Sequence, residues 1–209
     1  MSNRPELLAR GRRLEWFTVL WNSVEGLTSV ALGALAGSIA LVGFGVDSFV
    51  ETSSGLVLLW RLQGGRDLAT EERVEAQALR MVGLSLFALA AYVLYEAGRS
   101  LIAGEPPDAS VPGIVLACVS LVVMPVLAHK KRRLAIELGS RALAADSFQT
   151  SLCTYLSAIL LGGLMLNAVF GLWWADPVAA LAMVPIIVRE GLEAFRGERC
   201  DECGGPCGT

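Results

Sequence analysis

The sequence predicts an all-α, polytopic membrane protein of six transmembrane helices with both termini on the cytoplasmic side. Three observations predict it. Hydrophobic residues make up 54% of the 209-residue chain and charged residues only 18%, against roughly 25% charged in a soluble domain, and the mean hydropathy is +0.57. The charges are bunched, and between the bunches lie apolar stretches of about 20 residues, the length that crosses ~30 Å of hydrocarbon. Counting six helices then places almost every basic residue on one side, as membrane topology requires.

The first apolar segment runs from about Trp16 to Gly37 and the second from about Ile39 to Leu62. The third runs from about Ala78 to Ala103, the fourth from about Val111 to His129. The fifth runs from about Ala142 to Phe170 and the sixth from about Trp173 to Phe195. None alternates with period two, which argues against a β-barrel. Backbone groups in lipid must be satisfied within each segment, which leaves helices. Ala34-Leu35-Ala36 has the look of a signal-cleavage site, but the apolar run before it is too long and contains Glu25, so cleavage is not expected.

Orientation rests on the basic residues. Arg4, Arg10, Arg12 and Arg13 precede helix 1; Arg61, Arg66, Arg73 and Arg80 flank the second connection; Lys130, Lys131, Arg132, Arg133 and Arg141 flank the fourth; Arg189, Arg196 and Arg199 close the chain. These are 16 of the 17 Lys and Arg residues, and only Arg99 falls on the other side. The positive-inside rule makes their side the cytoplasm. The outward connections are short: Ala36-Gly37-Ser38 joins helices 1 and 2, and Gly171-Leu172-Trp173 joins helices 5 and 6. Glu105-Pro106-Pro107-Asp108 reads as a polar surface loop. Gly33 and Gly37 form a small-xxx-small pair that allows close helix contact.

Ionisable residues inside a bilayer are costly, so each is a candidate functional group. Helix 2 carries Asp47 and Glu51, at i, i+4 on one face. At 1.5 Å per residue Asp47 lies about 13 Å from the outer end, near the midplane. Two adjacent carboxylates in a low dielectric repel, so one takes up a proton or a cation sits between them. Oxygen ligands at that spacing suit a divalent metal. The structural alternative is that both are protonated and hydrogen-bonded to neighbouring helices.

On helix 5, Asp146, Gln149, Thr150 and Cys153 fall on one stripe at i, i+3, i+4 and i+7. A Cys thiolate is a good zinc ligand and a Gln carbonyl a weak one; the alternative for both is interhelical packing and hydrogen bonding. Helix 1 adds Asn22 and Glu25, which either join a cation path or proton relay or pair with polar groups of helices 2 and 5. Asp176 before Pro177 reads as the N-cap of helix 6. His129 reads as an interfacial residue.

With these residues in view, the sequence resembles the cation diffusion facilitator (cation efflux) family, across roughly residues 14 to 196. Gly37-Ser38-Ile39-Ala40-Leu41 leads to Asp47 and Glu51 at the spacing of the family's helix 2 signature. Ala145-Asp146 matches the start of its helix 5 signature, with Gln149 where His is usual and Cys153 where Asp is usual. Trp174-Ala175-Asp176-Pro177 is similar to the start of its helix 6. The resemblance implies a cell-membrane transporter that moves a divalent cation, chiefly Zn2+ with iron, manganese or cobalt as alternatives, out of the cytoplasm in exchange for protons, working as a homodimer. It implies Asp47, Glu51, Gln149 and Cys153 as the metal site, with Glu25, Asp146 and Asn22 as accessory groups. The softer, less charged helix 5 half bears on which metal is moved and on proton coupling.

The expected organisation is a cytoplasmic segment over 1–13, a six-helix cation-transport domain over 14–196 and a cytoplasmic tail over 197–209. The soluble domain that most family members carry after helix 6 is not expected here. The tail holds Cys200, Cys203 and Cys207, spaced C-x2-C-x3-C. Reduced thiols with Asp201 and Glu202 suit zinc or copper(I) capture; the alternative is a tail with incidental thiols. No prosthetic group is expected, the metal being cargo, and nucleic acid is not among the expected partners. With no nucleophile–base pair, phosphate loop or His-rich motif, an enzyme is not expected. The rival to transport is a membrane scaffold or accessory subunit that keeps the fold with a degenerate metal site.

Overall fold

A computed structural model describes residues 4–62, 68–104, 107–108 and 110–196. The described chain is six α-helices with no strand: α1 (Arg4–Ala36), α2 (Ile39–Leu62), α3 (Leu68–Ala103), α4 (Val111–Leu138), α5 (Arg141–Phe170) and α6 (Ala175–Arg196). Five of them, α1 to α5, contain a stretch long and apolar enough to cross a membrane. The sixth, with 22 residues, is about 33 Å long, but Asp176, Arg189 and Glu190 lower its apolar character. It runs beside α3 and also touches α5 and α2, inside the same bundle. The protein is thus a multi-pass helical membrane protein.

Several helices outrun their apolar segments. The third starts ten residues before Ala78, and the fourth continues nine residues past His129. The basic run Lys130–Arg133 is therefore helix and not connection. Hydropathy marks where lipid ends, and backbone hydrogen bonding continues past that depth.

The helix ends explain the tight reversals. Gly37 (φ 67°), Gly139 (φ 61°) and Gly171 (φ 64°) are left-handed, a conformation glycine adopts without steric cost just past a helix end. Ser110 and Ser140 cap α4 and α5 by accepting from the amides of Gly113 and Leu143. The turn at Gly37 lays α1 against α2 with backbone contact: a Cβ on Gly45 would stand 2.8 Å from Val30 N and 2.9 Å from Gly26 O. Gly33 packs against Val42 in the same seam, whereas Gly37, the other member of the expected small-residue pair, serves the turn and meets nothing.

The two ends of the bundle are built differently. At one, Ala36 O accepts from Asp108 N at 2.8 Å, and Pro107 O accepts from Asn167 Nδ2 at 3.0 Å. Asp176 also acts there. It does not cap its own helix; its carboxylate accepts from Ser38 Oγ (2.5 Å), Ile39 N (2.9 Å) and Ala40 N (3.4 Å), at the start of α2. Ser38 Oγ in turn accepts from Leu41 N at 3.1 Å. The other end gathers the start of α1, the end of α4 and the start of α5. Among the described side chains, Arg10, Arg12, Arg13, Lys130, Arg132 and Arg133 lie toward it. The core between the ends is apolar, centred on Leu41, Phe44, Leu86, Met124, Leu156, Leu160 and Met183. Leu20, Leu27, Val122 and Val169 are exposed on the outside, as lipid-facing residues of a bundle are.

Candidate metal centre

The polar interior is built by α1, α2, α4 and α5. Asp47 and Glu51 project from one face of α2 and are buried, at 4% and 2% exposure. Cys153 on α5 is buried and lies within electrostatic range of Glu51. Glu25 on α1 lies within electrostatic range of both Asp47 and Cys153. Its Oε2 accepts from Ser48 Oγ on α2 at 3.2 Å. Ser120 on α4 and Ser157 on α5 share a further hydrogen bond of 3.0 Å. Carboxylates from two helices and a thiol from a third therefore face one interior.

Of the polar atoms here that are fully buried with no hydrogen-bond partner, five belong to Asn22 (Nδ2 and Oδ1), Glu25 (Oε1), Glu51 (Oε2) and Gln149 (Oε1). An unsatisfied buried polar atom costs about 1–3 kcal/mol, and native interiors hold few of them. Four of the five are oxygens, and hard oxygens are what a divalent cation takes as ligands. Among the described residues, no three His, Cys, Asp or Glu side chains already enclose a metal-sized space. The candidate groups come from three helices, Asp47 and Glu51 from α2, Glu25 from α1 and Cys153 from α5.

The expected site residues divide accordingly. Asp47, Glu51 and Cys153 are buried toward one interior, with Glu25 within electrostatic range of them. Asn22 and Gln149 are buried on the inward faces of α1 and α5 with free polar atoms. Asp146, expected as an accessory ligand, is engaged elsewhere: its Oδ2 binds the Lys131 ammonium. His129 is exposed on α4, in keeping with an interfacial place. Cys200, Cys203 and Cys207 lie outside the described residues.

The sequence reading counts Lys131 only among the basic residues that set orientation and gives Glu15 no role, yet both are fully buried. Glu15 Oε1 pairs with Lys131 Nζ at 3.2 Å. Lys131 Nζ also donates to Thr150 Oγ1 at 3.3 Å, and Thr150 Oγ1 donates to Glu51 Oε1 at 2.7 Å. The signal for Lys131 is present in the chain. The buried positions of α4 include Gly113, Ala117, Ser120, Met124, Leu127, Lys131 and Leu134, a series in steps of three and four residues along one face. Carrying that stripe through the basic run selects Lys131 from its three charged neighbours. Glu190 on α6 is also buried, within electrostatic range of Cys153.

Comparison with known proteins agrees with this architecture. The model of the cation efflux transmembrane domain matches residues 16–198. The magnetosome protein MamB of Magnetospira sp. (strain QH-2) is 26% identical over 184 residues, covering 85% of this chain and 62% of that protein. The uncharacterized transporter MJ0449 of Methanocaldococcus jannaschii is 22% identical over 182 residues, 82% of this chain and 62% of its own. The uncharacterized transporter sll1263 of Synechocystis sp. is 28% identical over 169 residues, 78% of this chain and 54% of its own. The chain thus spans 54–62% of the length of these relatives. With six helices, a carboxylate pair inside the bundle and a family match over nearly the whole described chain, the protein belongs to the cation efflux, or cation diffusion facilitator, family.

Proposed function

We propose that the protein is a divalent metal cation transporter of the cell membrane that exports Zn2+ from the cytoplasm in exchange for protons. The observation that carries this reading is the buried pair Asp47 and Glu51 facing Cys153, with Glu51 Oε2 unpartnered. Asp47 and Glu51 bind the cation, and Cys153 and Gln149 complete its shell. Both termini lie on the cytoplasmic side, since the basic residues gather at the end of the bundle where α1 begins. Proton exchange follows from the ligand type, because a proton and a cation compete for the same carboxylate oxygens. The ligands stand on different helices, so their relative movement suits alternating access around a site inside the bilayer. A homodimer, and metal capture by Cys200, Cys203 and Cys207, complete the proposal.

A second reading, a membrane scaffold or accessory subunit that does not transport, is favoured by one observation: no three metal-binding side chains are preassembled among the described residues. Reconstitution in liposomes with a metal-sensitive dye inside separates the two. The transporter reading predicts saturable zinc flux that Asp47→Ala and Glu51→Ala abolish. Parent-rate flux in both variants removes the site assignment, and no saturable flux of zinc, manganese, iron or cobalt in the parent establishes the scaffold.

A further inference from the structure

Lys131 is an unusual residue to find inside a site meant for cations. It is fully buried on α4, and burying a charge is tolerated only when it is paired and hydrogen-bonded. An ammonium has three protons to donate. Each has a partner: Asp146 Oδ2, Glu15 and Thr150 Oγ1 at 3.3 Å. All three of its donors are therefore used within the protein.

The third partner has a directional consequence. A threonine hydroxyl has one proton and accepts through its lone pairs. Because Lys131 donates into Thr150 Oγ1, the hydroxyl proton is turned away from Lys131. Two acceptors compete for it: Glu51 Oε1 at 2.7 Å and the Asp146 backbone carbonyl at 3.1 Å. The carboxylate is nearer and forms the stronger, charge-assisted bond. The chain of donation therefore runs Lys131 to Thr150 to Glu51. It occupies one oxygen of Glu51 and leaves the other, Oε2, without a partner.

We propose that Lys131 and Thr150 are positioning residues for the metal site: they fix the Glu51 carboxylate as a one-oxygen ligand and hold its Oε2 ready for the cation. Neither touches the cargo. The inference rests on the proposed role of Glu51 as a ligand and adds what sets its geometry. Partners that orient a metal ligand typically contribute 10–100-fold in affinity.

The test uses the full chain in liposomes, with zinc as the probe and flux followed over a range of concentrations. Lys131→Met strips two buried carboxylates of their cation and endangers the fold, so the deciding variants are at Thr150. Thr150→Val keeps the shape and removes the hydroxyl; Thr150→Ser keeps the hydroxyl. Thr150→Val is expected to raise the zinc concentration for half-maximal flux about tenfold, with melting temperature and maximal rate near the parent's. Thr150→Ser is expected to transport as the parent does. A Thr150→Val protein with parent half-saturation overturns the inference. So does a Thr150→Val protein that fails to fold while Thr150→Ser folds, because the hydroxyl is then structural. Glu51→Gln serves as the control on the underlying reading: if it transports at the parent rate, or if the parent moves no zinc, the metal-site assignment fails and the inference with it. If Glu51→Gln is inactive and Thr150→Val is normal, only the positioning role fails.

Discussion

The Asp176 carboxylate, near the start of α6, binds Ser38 Oγ at 2.5 Å, 138 residues away in sequence. Through the same carboxylate it takes the amides of Ile39 and Ala40, the first two of α2, which no intrahelical carbonyl can satisfy. One side chain therefore caps α2 and ties α6 to it, fixing the end of the helix that carries Asp47 and Glu51. Asp176→Ala leaves three donors, two of them fully buried, without this partner, each worth about 1 kcal/mol or more. The expected loss is about 2–4 kcal/mol, read as a lower melting temperature in detergent. Asp176→Asn, which keeps one acceptor oxygen, is expected to fall between. Equal melting of parent and Asp176→Ala contradicts the capping role.

The seam between α1 and α2 sets the distance between Glu25 and the α2 carboxylates. At Gly45 a side chain would drive into the backbone of the neighbouring helix, at Val30 N and Gly26 O. Backbone cannot turn aside as a flexible side chain can, so Gly45→Ala is expected to push the helices apart at a cost of about 1–3 kcal/mol. Gly98 on α3 has open space around it, and Gly98→Ala is expected to leave stability unchanged or raise it by up to about 1 kcal/mol. Melting of the two variants side by side measures the difference, and equal effects remove the argument from close packing.

Much of the fold is legible in the chain. Helix 2 begins and ends where the sequence places it, because a left-handed glycine and a capping serine mark its start. The face carrying Asp47 and Glu51 follows from helical spacing alone, as does the inward place of Cys153. What escapes is tertiary. Asp-Pro describes a helix start, and nothing local says that the carboxylate caps a helix far away in sequence. Hydropathy ends helix 4 at His129, because four consecutive basic residues resemble a cytoplasmic connection. The helix continues, and the pairing of Lys131 with Asp146 depends on where α4 meets α5. Asp146 sits on the same stripe as Gln149 and Cys153, so spacing alone cannot separate a ligand from an ion-pair partner.

That ion pair makes its own prediction. Lys131 is flanked by Glu15 and Asp146, all three buried. Removing the cation alone, as Lys131→Met, leaves uncompensated buried carboxylates and is expected to cost about 3–5 kcal/mol. Neutralising all three positions together, as Glu15→Gln, Lys131→Met and Asp146→Asn, removes the charge imbalance and is expected to recover most of that loss, since neutral replacement of a buried ionic group is often harmless to stability. Yield of monodisperse protein and melting temperature read both effects. A triple variant no more stable than Lys131→Met means that the cost lies in packing and not in charge.

Cys153 offers the most direct handle on which metal is moved. It is buried against Glu51, and under the proposed function it supplies the one soft ligand beside hard carboxylate oxygens. Thiolate favours zinc, whereas an all-oxygen shell favours manganese and magnesium. Cys153→Asp replaces the soft ligand with a hard one at the same helical position. The ratio of manganese to zinc flux in liposomes is expected to rise on the order of tenfold, a difference of roughly 1.4 kcal/mol between the two ions. Cys153→Ser, which has neither a thiolate nor a carboxylate, is expected to lose zinc flux without gaining manganese flux. A Cys153→Asp protein with the parent ratio places Cys153 outside the shell and leaves Asp47 and Glu51 to hold the cation with Glu25 instead.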